Sequence, residues 1–160
     1  MSNIFYIIPG WEDEGNEPAY LELKAIAENK GYKVSILEID WTKPLTAQKI
    51  KAGKGDVLFG FSLGAILAWL IAQDYEVHHL ILASMSPHYS FTDPEILQAF
   101  YDLCGKEFVD DIKNNLKEAN RADRQTIMYG EQEGEEADIL VPDTDHELTS
   151  NYLNEISKII

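Results

Sequence analysis

The chain has 160 residues, 45% of them hydrophobic, which suits one globular unit with a real core. A formal net charge of −15 argues against nucleic-acid and anionic-membrane partners, which need clustered Lys and Arg. One cysteine, Cys104, excludes an internal disulfide framework and a Cys-based zinc site, and reads as a packed small hydrophobe.

The N-terminal run Ile4–Ile8 is rich in β-branched and aromatic residues and closes at Pro9-Gly10, so it reads as a strand and a turn. It lacks the basic start and cleavage site of a signal peptide, and no apolar run reaches the ~20 residues of a membrane span. A cytoplasmic protein is expected. A helix follows from Ala19 to Asn29, with Leu21, Leu23, Ile26 and Ala27 on one face and Gly31 as the stop. Lys33–Ile39 is the second strand. A short amphipathic segment, Thr46–Lys51, leads through Gly53 and Gly55 to a third strand, Asp56–Phe61.

Leu63–Tyr75 is a helix apolar almost all round, which implies burial. Val77–Ala83 is the fourth strand, Thr126–Tyr129 the fifth and Ala137–Val141 the sixth. Asp93–Arg124, between the fourth and fifth, reads as two charged amphipathic helices. Leu148–Ile159 is a terminal amphipathic helix, with Leu148, Tyr152, Leu153 and Ile156 at helical spacing. Strands with continuous apolar cores, alternating with helices, predict an α/β fold. The expected form is doubly wound, with a mainly parallel sheet of about six strands and helices on both faces. No repeat, linker or low-complexity tract interrupts 1–160, so one domain is expected.

The segment that carries chemistry is Gly60-Phe61-Ser62-Leu63-Gly64, at a strand-to-helix junction. A nucleophile elbow needs this layout for steric reasons. The chain reverses sharply, the serine hydroxyl stands above the sheet, and side chains two residues before and after would collide with neighbouring backbone. The helix beginning there aims its free N–H groups and positive dipole end at a developing oxyanion.

With this elbow in place the sequence resembles the α/β-hydrolase superfamily, in its compact single-domain form without a large lid. The resemblance runs from the first strand to the last helix and implies a minimal α/β-hydrolase fold. In that family an acid follows the penultimate strand and a histidine the last strand. Here Gly130-Glu131-Gln132-Glu133 looks like the acid turn, which implies Glu133, with Glu131, Glu135, Glu136, Asp138 and Asp143 as nearby competitors. Pro142-Asp143-Thr144-Asp145-His146, just before the terminal helix, implies His146 as the base. Two N-terminal strands of larger members are missing, and Glu stands where Asp is commoner.

The physical logic stands beside the resemblance. A serine hydroxyl needs a base within hydrogen-bond reach, and a carboxylate holds that imidazole in the right tautomer. The backbone N–H of Leu63, and that of Trp11 after the first strand, are the candidate oxyanion donors. His88, which follows the fourth strand, is the rival to His146. With Met85, Tyr89 and Gly10 it is otherwise a candidate pocket residue. His78 and His79 begin the fourth strand, at the far end of the sheet, and read as structural.

The acidic loop Trp11-Glu12-Asp13-Glu14-Gly15 lies beside the expected site and either selects against anionic substrates or is simply solvated, the solvated reading being preferred. Glu131–Asp138 lacks the alternating ligands and central glycine of an EF-hand, so no metal or other cofactor is expected. The expected activity is hydrolysis of an ester, thioester or amide of a small-molecule substrate through an acyl-serine. The alternative is a catalytically degenerate scaffold acting as a binding module. A nucleotide-binding domain fits less well, because Ser stands where G-x-G-x-x-G needs its middle glycine and no P-loop Lys is present.

Overall fold

A computed structural model describes residues 3–85 and 91–160. Six strands, β1 Ile4–Ile8, β2 Lys33–Ile36, β3 Val57–Phe61, β4 Val77–Ala83, β5 Ala122–Gly130 and β6 Ile139–Val141, form one sheet. Its order is β2-β1-β3-β4-β5-β6, and every neighbouring pair is parallel. Five α-helices connect them: α1 Pro18–Asn29, α2 Leu63–Asp74, α3 Pro94–Cys104, α4 Lys106–Asn115 and α5 Ser150–Ile159.

Period-2 alternation along the strands divides the core into two layers. Ile8, Leu58, Leu80 and Leu82 pack on one face against α2, Phe100 of α3 and Phe108, Val109 and Ile112 of α4. Phe5, Ile7, Phe59, Ile81 and Met128 face the other way, against Tyr20 and Leu23 of α1 and Tyr152, Leu153 and Ile156 of α5. Both faces are thus covered, which is why the central strands carry no polar alternation; β3 is buried at all five positions. The expected doubly wound α/β sheet is present. Among the described residues no helix is long and apolar enough to cross a membrane.

Four strand extents differ from expectation: β3 begins at Val57 rather than Asp56, β6 at Ile139 rather than Ala137, and β2 and β5 differ more. β2 stops at Ile36 rather than Ile39. As an edge strand it has only β1 beside it, and Leu37 N–H makes the last bond, to Ile7 O at 2.9 Å, as β1 itself runs out. β5 begins at Ala122, four residues before Thr126, because Ala122 pairs with Val77 and Arg124 with His79. Its exposed, charged first half hides the strand from a reading based on apolar runs.

The chain leaves β1 toward β2 on one side and returns to β3 on the other. The sheet order therefore reverses between β1 and β3. At such a switch point the loops leaving the carboxyl ends of the two strands diverge and open a crevice. Those loops hold Gly10-Trp11 and Ser62.

Candidate active site

Ser62 sits between β3 and α2 with φ 56° and ψ −123°, a conformation that L residues avoid. The turn is tight enough to require both flanking glycines. A Cβ on Gly60 would lie 2.4 Å from Gly64 O, and one on Gly64 would lie 2.2 Å from Ile8 O. α2 is fixed beneath this turn by the apolar side chains that bury it. Burial of Leu63, Ile66, Leu67, Leu70 and Ile71 offsets the strain.

Across the crevice, His146 lies in the loop between β6 and α5. Its Nε2 is 2.9 Å from Ser62 Oγ, and its Nδ1 is 2.7 Å from Glu133 Oε1. A carboxylate only accepts, so the Nδ1 nitrogen carries the imidazole proton. Nε2 is then left as the acceptor for the Ser62 O–H. The Phe61 ring lies beside the imidazole, with centroids 5.4 Å apart, and backs it on one side.

Glu133 ends a short 3₁₀ turn after β5, and its side chain is only 9% exposed against 43% for that of His146. Its second oxygen, Oε2, accepts from Gly130 N–H and from Ser84 Oγ–H, each at 2.6 Å. Ser84 Oγ is in turn 2.9 Å from Tyr152 OH, which is also 2.9 Å from Met128 O. Ser84 gives its one proton to Glu133, and Met128 O already accepts the Ser84 backbone N–H at 2.7 Å. The arrangement that satisfies the carboxylate and both hydroxyls therefore runs Tyr152 to Ser84 to Glu133, each donating to the next. Burial, the largest cause, pushes the Tyr152 phenol well above its usual pKa, which keeps its proton in place.

The two candidate oxyanion donors face the same space. Leu63, Trp11 and Gly10 line a cavity of about 390 Å³ together with Ser62 and His146. Among the described residues no acceptor takes the N–H of Leu63 or of Trp11. The Gly10-Trp11 turn is held from behind. Gly10 N–H donates to Tyr20 OH at 3.0 Å, and Tyr20 OH donates to Asp13 Oδ2 at 2.6 Å.

The non-glycine residues with positive φ among those described are Glu12, Ser62, Ser84 and Asp143. They follow β1, β3, β4 and β6 respectively, so backbone strain gathers at the carboxyl edge of the sheet around this crevice. Gly130 lets two of the loops meet. A Cβ there would fall 2.3 Å from Thr144 O, closing the gap through which the Glu133 and His146 turns approach.

Ser62, His146, Glu133, Leu63, Trp11 and Gly10 thus come together. Met85 does not join them. It is buried, packs in the α2-side core, and lines a separate cavity with Ile66, Trp69 and Leu116. Its carbonyl accepts from Tyr129 OH, which draws the residue inward rather than over Ser62. His88 and Tyr89 lie outside the described residues. His79 is buried on Thr126 Oγ1 at 2.8 Å, far from the crevice. Among the described residues none of the acidic competitors bonds to His146; Glu131, Glu136, Asp138 and Asp143 are exposed, and Asp138 Oδ2 accepts Ile127 N–H at 2.8 Å. Among the described residues no group of three or more His, Cys, Asp or Glu side chains forms a metal site.

Sequence reasoning placed Asp13 in the acidic loop beside the site, and missed Ser84 and Tyr152 behind the carboxylate, Tyr20 behind the Trp11 turn, and the individual residues Ala99, Phe100 and Leu103 of α3, which line the cavity. Only the last had a signal, the apolar face of an amphipathic helix in the insertion after β4.

No protein-family model matches the sequence, and no curated protein matches it either. Solved structures do match in fold. Est1E from Butyrivibrio proteoclasticus superposes with a TM-score of 0.57 at 14% identity, over 99% of this chain and 85% of that one. The ydeN gene product from B. subtilis gives 0.52 at 13%, over 98% and 80%. With their likeness extending over nearly the whole chain, and a parallel sheet whose switch point carries a strained serine elbow, this chain has the α/β-hydrolase fold in a minimal six-stranded form.

Proposed function

We propose that this chain is a serine hydrolase that cleaves an ester, thioester or amide of a small molecule. The observation that carries the reading is the continuous hydrogen-bonded line from Ser62 Oγ through His146 to Glu133, at 2.9 and 2.7 Å. As Ser62 Oγ bonds to the substrate carbonyl carbon, its proton passes to His146 Nε2. Glu133 stabilises the imidazolium so formed. The carbonyl oxygen takes up the negative charge and receives the N–H groups of Leu63 and Trp11. Collapse breaks the bond to the leaving group, which departs with the proton from His146, and an acyl-serine remains. Water then repeats the sequence: His146 takes its proton, the hydroxide adds to the acyl carbon, and Ser62 Oγ leaves with the proton restored. The His146 side chain is 43% exposed, so water has access to the base that must activate it.

A fluorophosphonate probe tests this directly. Labelling is expected in the wild type, lost in Ser62→Ala, and reduced ~10²–10⁴-fold in rate in His146→Ala, the usual cost of removing a general base. Glu133→Gln is expected to fall between them. A folded wild-type protein that takes no label and cleaves no activated ester would favour the binding-scaffold reading instead.

A further inference from the structure

The cavity above Ser62 has a composition that bears on what enters it. Its walls are apolar: Trp11, Leu63, Ala99, Phe100 and Leu103 surround the reacting serine and histidine. Leu103, 63% exposed, forms part of the cavity's rim. Among the described residues the lining includes one formal charge besides the titratable His146, the carboxylate of Asp13, and no Lys or Arg.

Asp13 is held in place. Its Oδ2 accepts the Tyr20 hydroxyl at 2.6 Å and lies against Gly10, where even a Cβ would come within 2.9 Å of it. The Tyr20 phenol is buried and keeps its proton, so it donates to Asp13 without cancelling the charge. Among the described residues no Lys or Arg of the cavity neutralises that carboxylate. The exposed Glu12 and Glu14 flank it on the same turn. A second negative charge brought into this space meets repulsion in a medium less polarisable than water, with no counter-ion to offset its lost hydration.

On the hydrolase reading given above, we propose that the cleft takes esters with an apolar acyl group free of negative charge, and that Asp13 is the residue that rejects carboxylate-bearing acyl groups. On this assignment Asp13 acts from the cavity wall on the acyl group and takes no part in the proton transfers. It sets which acyl group is accepted, not how the bond is broken.

The test is a panel of p-nitrophenyl esters: acetate, hexanoate, the adipate half-ester, its uncharged methyl ester, and 6-(trimethylammonio)hexanoate. Wild type is expected to favour hexanoate over acetate, and methyl adipate over the half-ester, each by at least tenfold in kcat/KM, ~1.4 kcal/mol. The trimethylammonio ester should be cleaved at least as well as methyl adipate. Asp13→Asn keeps an oxygen to accept the Tyr20 hydroxyl and removes only the charge. It should shrink the methyl adipate to half-ester ratio at least threefold, whatever it does to the absolute rates. Because the ratio cancels any general damage to the turn, a purely structural Asp13 would leave it unchanged. Ester cleavage dependent on Ser62, with a ratio near one or a ratio unmoved by Asp13→Asn, overturns the assignment to Asp13. Equal rates on hexanoate and acetate overturn the apolar half. No turnover of any ester and no fluorophosphonate label on Ser62 removes the hydrolase reading, and this proposal falls with it.

Discussion

Ser84 is the most informative residue to remove. It is fully buried, holds a φ of 45°, and donates to Glu133 Oε2 at 2.6 Å. Ser84→Ala leaves the Gly130 N–H as the one donor to that oxygen. Tyr152 OH then turns its proton to Met128 O, 2.9 Å away, so no buried hydroxyl is orphaned and the fold should persist. A hydrogen bond to a charged group contributes about 1.5–3 kcal/mol. The carboxylate faces a neutral imidazole in the ground state and an imidazolium in the transition state, so misplacing it is felt mainly in the latter. If most of the interaction is expressed there, kcat falls about 10- to 100-fold with KM little changed. The assay is steady-state hydrolysis of p-nitrophenyl hexanoate, beside thermal unfolding to check the fold. The decisive control is the same change in a His146→Ala background. Without the imidazole, Glu133 has nothing to orient, so Ser84→Ala should cost almost nothing further. A folded Ser84→Ala enzyme with kcat within twofold of wild type, or an equal loss in the His146→Ala background, refutes the reasoning.

Gly64→Ala places a methyl group 2.2 Å from Ile8 O and 2.3 Å from Pro9 O, both backbone atoms of a central strand and its turn. A cost of about 3 kcal/mol would lower Tm by about 6–12 °C for a chain of this size, and a Tm within 2 °C of wild type in calorimetry would contradict the steric account. His79 is held neutral, its pKa lowered to about 4, first by burial and then by the charges of Arg124 and His78. The unfolded chain therefore binds the extra proton between about pH 6.5 and 4, so this histidine's contribution to stability is present above that window and is lost as pH falls through it. Urea unfolding at pH 7 and 4.5 should show a smaller loss for His79→Gln than for wild type; equal losses would count against it. Burial, and next the charge of Glu12, push the Cys104 thiol up to about 12. Iodoacetamide at pH 8 should therefore modify the native protein at least tenfold more slowly than the urea-unfolded chain, and equal rates would show an open thiolate instead.

The fold was legible because each central strand is a short apolar run closed by a turn residue, and because a helix as apolar as Leu63–Asp74 has no place except against a covered sheet. The elbow was legible for a different reason. Two backbone contacts near 2.3 Å forbid any side chain at Gly60 and Gly64, so sterics write the motif into the sequence itself. Where a charged edge or a lone partner decides an element's length, as at the start of β5 and the end of β2, composition misleads. The choice among the acids was not legible from spacing. Glu133 reaches His146 because Gly130, lacking a side chain, lets the two loops close and because its own N–H then holds Oε2. Neither fact distinguishes Glu133 from Glu131 or Glu135 on paper.

Ser84 is the extreme case. A left-handed φ is ordinarily announced by glycine or asparagine, and here the sequence shows a serine that reads as any strand-end residue. Only the hydroxyl explains why a glycine is not there. Glycine would relieve the backbone but leave Glu133 Oε2 short of a donor and Tyr152 without its Ser84 partner. The same trade holds at Ser62, where glycine would relax the turn and abolish the nucleophile. Strain at two serines, at the ends of adjacent strands β3 and β4, therefore falls on one hydrogen-bonded line, on either side of Glu133 and His146. Such positions carry side chains that a local reading of backbone preference would replace. They become visible only when the atoms those side chains reach, across 84 and 49 residues of sequence, are brought beside them.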